Sequence, residues 1–430
     1  MKKLTLFSIF LAAVVIILGA YTRLTDAGLG CPDWPGCYGN LTVPLSEEKV
    51  LQANAAFPER PVEAFKAWNE MIHRYFAGAL GLCVLAIAII AVRQRDKGTP
   101  VKLPLLLLGL IIFQAALGMW TVTLNLLPVV VMGHLLGGFS VISCLFILYL
   151  RLRNTAGGAP KTKQAPIASA MHVQGITDLP QTKTFQRNLK LFAFVGLGVL
   201  VTQIALGGWT SANYAALACT EMPVCESGWQ ERIDIAGAFS VPDADNYEFG
   251  AHDYGERVTM HIVHRFGAVV TFLYLLALGI NVLVSRNATN KQKYVSAFML
   301  VALCTQVALG LSNIIFMLPL AVAVMHNAVA AVLLLSLLNL IFTVFRILEN
   351  DQVFNSEKQS KAPFSVSEPL QGAYRKQQAF RNKQAFRNQQ ARNTSLHESE
   401  YASLLGSFQD PLSGSTSSHI LPKALGGFHG

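Results

Sequence analysis

The sequence predicts an all-α integral membrane protein with eight transmembrane helices. They form two tandem four-helix bundles related by a pseudo-two-fold axis along the membrane normal. Three observations carry this: a composition poor in charge, eight apolar runs of membrane-crossing length, and an internal duplication. Of 430 residues, 52% are hydrophobic and only 14% charged, where a soluble domain carries about a quarter. The apolar runs fall at roughly 4–22, 69–92, 103–124, 128–150, 189–210, 257–284, 294–316 and 319–345. Each approaches the ~20 residues that a helix needs to cross a bilayer. Runs of this length favour helices over strands, because a lone strand leaves its backbone unpaired in lipid.

The first run follows Lys2 and Lys3 and competes with a signal-peptide reading. Its length and its match to the internal fifth run favour a resident helix. Charge orients the rest. The loops 93–102, 151–190 and 285–293 are basic, with Arg93, Arg95, Arg151, Arg153, Lys183, Arg187, Arg286 and Lys291 among their residues. The stretch 211–256 is acidic, with Glu221, Glu226, Asp243 and Asp253. The positive-inside rule then places both termini in the cytoplasm and the cysteine-bearing loops outside. The net charge of +9 thus orients helices and calls for no nucleic-acid partner.

The duplication is legible residue by residue. "YTRLTDAGLGCPDWPGCYG" at Tyr21–Gly39 returns as "WTSANYAALACTEMPVC" at Trp209–Cys225. Gly19 precedes Cys31 by the same interval as Gly207 precedes Cys219, and Pro35 and Pro223 share an offset. "IHRYFAG" (72–78) answers "VHRFGA" (263–268), "QAALG" (114–118) answers "QVALG" (306–310), and "LPVVVMGH" (127–134) answers "LPLAVAVMH" (318–326). Copies lie near 190 residues apart. An even number of helices per copy points both halves the same way. The organisation is therefore an N-terminal half at 1–150, a cytoplasmic linker at 151–188 containing "GGAPKTKQAP", and a C-terminal half at 189–346. Residues 347–430 read as a low-complexity cytoplasmic tail, too polar to order itself.

Four of seven cysteines stand in the outer loops as two C-x5-C pairs, Cys31/Cys37 and Cys219/Cys225. An oxidising exterior favours disulfides; redox-active thiols and a metal site are the competing readings. Cys83, Cys144 and Cys304 lie within helices as packing residues.

His73, His134, His261, His264 and His326 fall in or at the ends of membrane segments, where ionisable residues are rare and face the protein interior. His73 matches His264 in segments two and six, and His134 matches His326 in segments four and eight. All four lie within about two turns of the outer helix ends. Two neutral imidazoles facing across a bundle can hold the iron of a flat haem from both sides, one haem per half. Interhelical hydrogen bonding is the plainer alternative. Gly78, Gly81, Gly133, Gly137, Gly138 and Gly267 leave room for a planar guest, although small residues also serve helix packing.

Arg74 and Arg265 directly follow their histidines. A guanidinium pairs with carboxylate bidentately, so both are candidates for haem propionates; snorkelling at the interface is the alternative. Glu70 lies three residues before His73, one turn away on nearly the same face, while the matching residue before His264 is His261. Only the first half has a carboxylate beside its proposed haem, which suits a proton acceptor or water-orienting group there.

"GAYTRLTDAGLGCPDWPGCYG", "EMIHR", "VHR" and the eight-helix double repeat closely resemble the haem A synthase family, over residues 1 to about 346. The resemblance implies an oxidoreductase that converts haem O to haem A for terminal oxidases. It does so by successive hydroxylations that turn the C8 methyl into a formyl group. It implies a prosthetic haem b on His264 and His326, and the substrate haem O on His73 and His134. It implies a functional carboxylate at Glu70, and loop disulfides at Cys31–Cys37 and Cys219–Cys225. It implies a multi-pass protein of the bacterial inner (plasma) membrane, within a lipid bilayer, receiving its substrate from haem O synthase. The electron acceptor and any homo-oligomer stay open. Two other classes stand beside this one: a bis-histidine di-haem b electron carrier, and a protein that moves haem unaltered.

Overall fold

A computed structural model describes residues 1–97, 99–155, 180–360 and 375–389, with the side chains of 97, 154–155, 180 and 350–360 left aside. Helices are numbered in chain order: α1 Lys2–Leu24, α2 Glu47–Ala56, α3 Ala64–Arg93, α4 Lys102–Thr123, α5 Pro128–Thr155, α6 Pro180–Ala212, α7 Ile235–Ala238, α8 Tyr254–Val284, α9 Asn290–Ile315 and α10 Leu320–Ser360. Residues 375–389 form one more, α11. Among the described residues there is no extended strand.

Eight of these helices are long and apolar enough to span a membrane: α1, α3, α4, α5, α6, α8, α9 and α10. Each covers one of the apolar runs to within one residue, and several reach beyond it. α3 begins at Ala64 rather than 69, and α6 at Pro180 rather than 189. An apolar run marks the length in hydrocarbon, whereas the backbone ladder continues wherever polar residues can turn toward water. Phe10, Leu82, Ile112, Phe192, Val270 and Val301 are more than half exposed, as side chains facing lipid should be.

The described residues divide into two units, one up to Val353 and one from Phe354. In the first unit, α1 packs on α3 and α5, α3 on α4, and α4 on α5, closing a four-helix ring. Its core holds Ala12, Val84, Ile87, Leu107, Leu145 and Leu148. Because Ala12 is 2% exposed within this core, α1 is a member of the bundle. In the following half, α6 packs on α8 and α8 on α9. Leu333, Leu337 and Leu340 of α10 join Leu275 and Met299 in the core there. α5 against α6 connects the two sets, and Ile16 and Leu335 border both cores. α10 departs from its counterpart α5: 56% of its most apolar window is buried, against 22% in α5.

Polar groups set the helix starts. Asp253 with Glu256 and Thr289 with Gln292 form capping boxes on α8 and α9, satisfying the orphan N–H groups of the first turn. Gln292, fully buried, also exchanges hydrogen bonds with Gln186 of α6 at 2.8 and 3.2 Å. The helices extend into regions read from sequence as linker and tail. α5 runs to Thr155, α6 starts at Pro180, α10 continues to Ser360, and α11 lies within the expected tail. The tail segment is rich in Gln, Ala, Lys and Arg, all strong helix formers, so it is helical without an apolar face. The rest of the expected linker and tail lies outside the described residues.

Candidate functional site

The first disulfide loop leaves α1 and crosses the start of α3. A side chain at position 30 would collide with the Lys66 carbonyl group, so only Gly30 lets the loop pass so close. Cys31 and Cys37 are joined, as are Cys219 and Cys225. Glu226 lies beside the second pair, its Oε2 3.0 Å from Cys225 Sγ, but there the two sulfurs bind each other.

The loops are fixed from below by the residues that flank the histidines. Glu70, 5% exposed, accepts the N–H of Cys31 on Oε2 at 2.9 Å and the Arg74 guanidinium on Oε1 at 2.5 Å. In the second copy, His261, 4% exposed, receives the N–H of Cys219 on Nδ1 at 3.3 Å. Carboxylate and imidazole thus do the same local job. Arg74 donates to the carbonyls of Asp33 at 3.0 Å and of Gly36. Arg265 donates to the matching carbonyls, those of Glu221 at 2.9 Å and of Val224, and to Cys219 at 2.6 Å. Both guanidiniums therefore hold loop carbonyls, partners that the sequence reading did not name beside its propionate and snorkelling candidates. A run of carbonyls in a tight turn is a strong acceptor set that sequence pattern does not display.

The four paired histidines come together two by two. His73 of α3 and His134 of α5 have ring centres 6.4 Å apart, at an interplanar angle of 81°. His264 of α8 and His326 of α10 lie within electrostatic reach of one another. All four are half-buried. Each ring rests on a glycine of a neighbouring helix: His73 on Gly19, His134 on Gly118, His264 on Gly207 and His326 on Gly310. A Cβ added at these glycines would stand 2.9–3.2 Å from the ring Cε1. Sequence reading singled out other glycines and missed these four as ring contacts. The signal was present, since Gly19 and Gly207 open the duplicated motif and Gly118 and Gly310 close "QAALG" and "QVALG". Of the glycines it did name, Gly78, Gly81 and Gly138 border open space, while Gly137 and Gly267 make room for the carboxamides of Gln114 and Gln203.

Haem fits this arrangement. Imidazole–metal bonds are about 2 Å long, so two axial rings on one metal have centres about 6 Å apart, close to the 6.4 Å of His73 and His134. Nδ1 of His73, His134 and His326 is buried without a side-chain partner, and the rings face the backbone of Val15, Gln114 and Gln306 in a surrounding of apolar helices and glycines. Imidazole is the common axial donor for haem iron.

A family profile described as "cytochrome oxidase assembly protein" matches residues 2–338. The chain belongs to the cytochrome oxidase assembly protein family. The matched residues contain all eight membrane helices' site-bearing portions, both disulfide loops and all four paired histidines. Among relatives in the family is the haem A synthase of Shewanella oneidensis, 49% identical over 329 residues, or 76% of this chain and 91% of the relative. The haem A synthases of Caulobacter sp. and Chelativorans sp. are 26% and 27% identical, covering 75% and 74% of this chain and 90% and 84% of theirs. Tail helix α11 falls outside the family match.

Proposed function

We propose that this chain is a haem A synthase, a multi-pass membrane oxidoreductase that turns the C8 methyl of haem O into the formyl group of haem A. The observation that carries the reading is the doubled imidazole pair with an acid beside only one copy: Glu70 precedes His73, and His261 takes its place before His264. The 49% identity to a haem A synthase supports it across the same residues.

Haem held between two imidazoles supplies one-electron iron chemistry and offers no open position for dioxygen. On this reading His264 and His326 hold a resident haem of the b type, and His73 and His134 hold the substrate. The glycines under the rings admit the imidazoles edge-on between helices, and the disulfide loops close the outer end and limit water. Glu70 takes up a proton released as the methyl is oxidised, with water as the source of oxygen. To do so it exchanges one of its two present partners, and Arg74 is the partner that can swing to the loop carbonyls it already touches. Arg74 and Arg265 seat the loops, and by the same exchange they would pair with the propionates of a bound haem. The basic loops face the cytoplasm, and both disulfide loops face out from a bacterial inner membrane. A haem O synthase delivers the substrate within the bilayer, and the electrons leave to a separate acceptor.

The test is pigment extraction from membranes that express the chain together with a source of haem O. Haem A synthase activity yields a formyl haem. An unaltered haem O pool, with the protein carrying low-spin haem, would establish the electron-carrier reading instead.

A further inference from the structure

The proposed chemistry makes no use of α11, residues 375–389. Every residue of this helix is exposed, Phe380 by 71% and Phe386 by 68%. It carries Arg375, Lys376, Arg381, Lys383 and Arg387 and no acidic residue. Its sequence is a repeat, "QAFRNK" at 378–383 followed by "QAFRNQ" at 384–389. An isolated helix of about 15 residues is marginal in water. A surface to lie on would stabilise it.

Successive residues of a helix turn by about 100°, and on that wheel the charges gather on one side. Arg375, Lys376, Lys383 and Arg387 share an arc of about 140° with Phe380 and Phe386. The two rings stand about 120° apart within it. The rest of the circumference is Gln and Asn, with Arg381 and Ala385. One face is therefore cationic, with two phenyl rings set among the charges, and the other is largely neutral and hydrophilic. At a bilayer surface such rings enter the acyl boundary, while Lys and Arg stems lift their charges to the phosphates beside them.

We propose that α11 docks flat, cationic face down, on a bilayer surface that carries anionic phospholipid. The inference is independent of the haem reading. Charge complementarity selects an anionic surface, and the tether selects the bilayer over a nucleic acid, which would meet the same cations. The span of α10 ends at Glu349 and the helix runs on to Ser360, about 16 Å further. Residues 361–374 add at most about 50 Å. The start of α11 is therefore held within about 70 Å of the membrane that the chain crosses. A short tether gives an effective concentration in the millimolar range, so a weak contact is enough. Docking makes the position of the tail depend on lipid charge and on ionic strength.

The test follows amide hydrogen exchange at residues 375–389 of the full chain in lipid nanodiscs, made of phosphatidylcholine alone or mixed with phosphatidylglycerol. Each cation beside an anionic surface strengthens binding roughly fivefold. Exchange should therefore be roughly tenfold or more slower on the anionic discs, and high salt should remove the difference. Replacing the face with Arg375→Gln, Lys376→Gln, Lys383→Gln and Arg387→Gln together should abolish it. Arg381→Gln, on the other face, should keep most of it. Phe380→Ala with Phe386→Ala leaves the charge unchanged and should weaken the protection. Equal exchange on neutral and anionic discs overturns the proposal. Protection on neutral discs that appears only when RNA is added overturns it in favour of nucleic-acid binding.

Discussion

Arg23 donates to the backbone carbonyl of Ser211 at 2.6 Å, and Ser211 is the residue that stands in Arg23's own place in the second copy of the motif. The guanidinium also covers the ring of Tyr214 at 3.9 Å, and Tyr214 donates to Asp26 at 3.1 Å. Tyr214 is in turn the counterpart of Asp26. Residues that touch their own counterparts lie where the two copies meet, which supports the proposed two-fold relation of the halves.

Arg23→Ala should therefore weaken the join between the halves. A charged hydrogen bond and a cation–π contact together are worth roughly 2–3 kcal/mol, read as a lowered midpoint of thermal unfolding in detergent. Arg23→Lys should recover only part, because an ammonium cannot both stack on Tyr214 and reach the carbonyl as a planar fork does. An unchanged midpoint for Arg23→Ala would show that the contact is idle.

Glu70 both seats the Cys31 loop and, in the proposed chemistry, takes a proton. Glu70→His separates these roles, since His261 already seats the matching Cys219 loop. Glu70→His and Glu70→Gln should both keep haem bound, and in Glu70→Gln, which has no group to take the proton, the yield of haem A should fall about 10²–10⁴-fold, the usual contribution of a general base. Formyl haem at the normal yield from Glu70→Gln would remove Glu70 from the chemistry.

The glycines under the rings predict a sharp contrast. Gly207→Ala places a methyl 2.9 Å from His264 Cε1, so the ring must tilt, and haem content of the C-terminal half should drop. Gly78→Ala meets nothing within 4 Å and should leave haem content unchanged. Haem-to-protein ratio by absorbance compares them directly.

The second disulfide loop carries a pH dependence. The N–H of Thr220, then the N–H of Glu226 itself and the Thr220 hydroxyl, hold the Glu226 carboxyl down to about 2. The charged form is thus favoured in the folded loop. Its contribution is complete above the ordinary carboxylate value near 4.5 and is lost as the pH falls toward 2. Protection of the Thr220 amide from hydrogen exchange, corrected for intrinsic rate, should fade over that range, and this pH dependence should be absent in Glu226→Gln, whose carboxamide does not titrate.

The eight helices and the matched histidines were legible because both depend on local pattern: apolar run length and residue spacing survive in a linear string. The duplication even exposed the Glu70/His261 difference before any coordinate was considered. Helix ends, by contrast, were misplaced at α3 and α6, since polar turns extend a helix without lengthening its apolar run. Arg74 and Arg265 were legible as paired cations. Their acceptors were not, because backbone carbonyls have no letter in the sequence.

The sequence by itself determined an all-α membrane protein with eight apolar helices, a repeated motif, histidines in matched pairs and a carboxylate before only one of them. Only the tertiary structure decided which glycine lies under which ring and which loop carbonyls the arginines hold. The physical reason is range. Hydropathy and spacing act along the chain, whereas ring contacts and hydrogen bonds depend on the approach of helices far apart in sequence, to within a few tenths of an ångström.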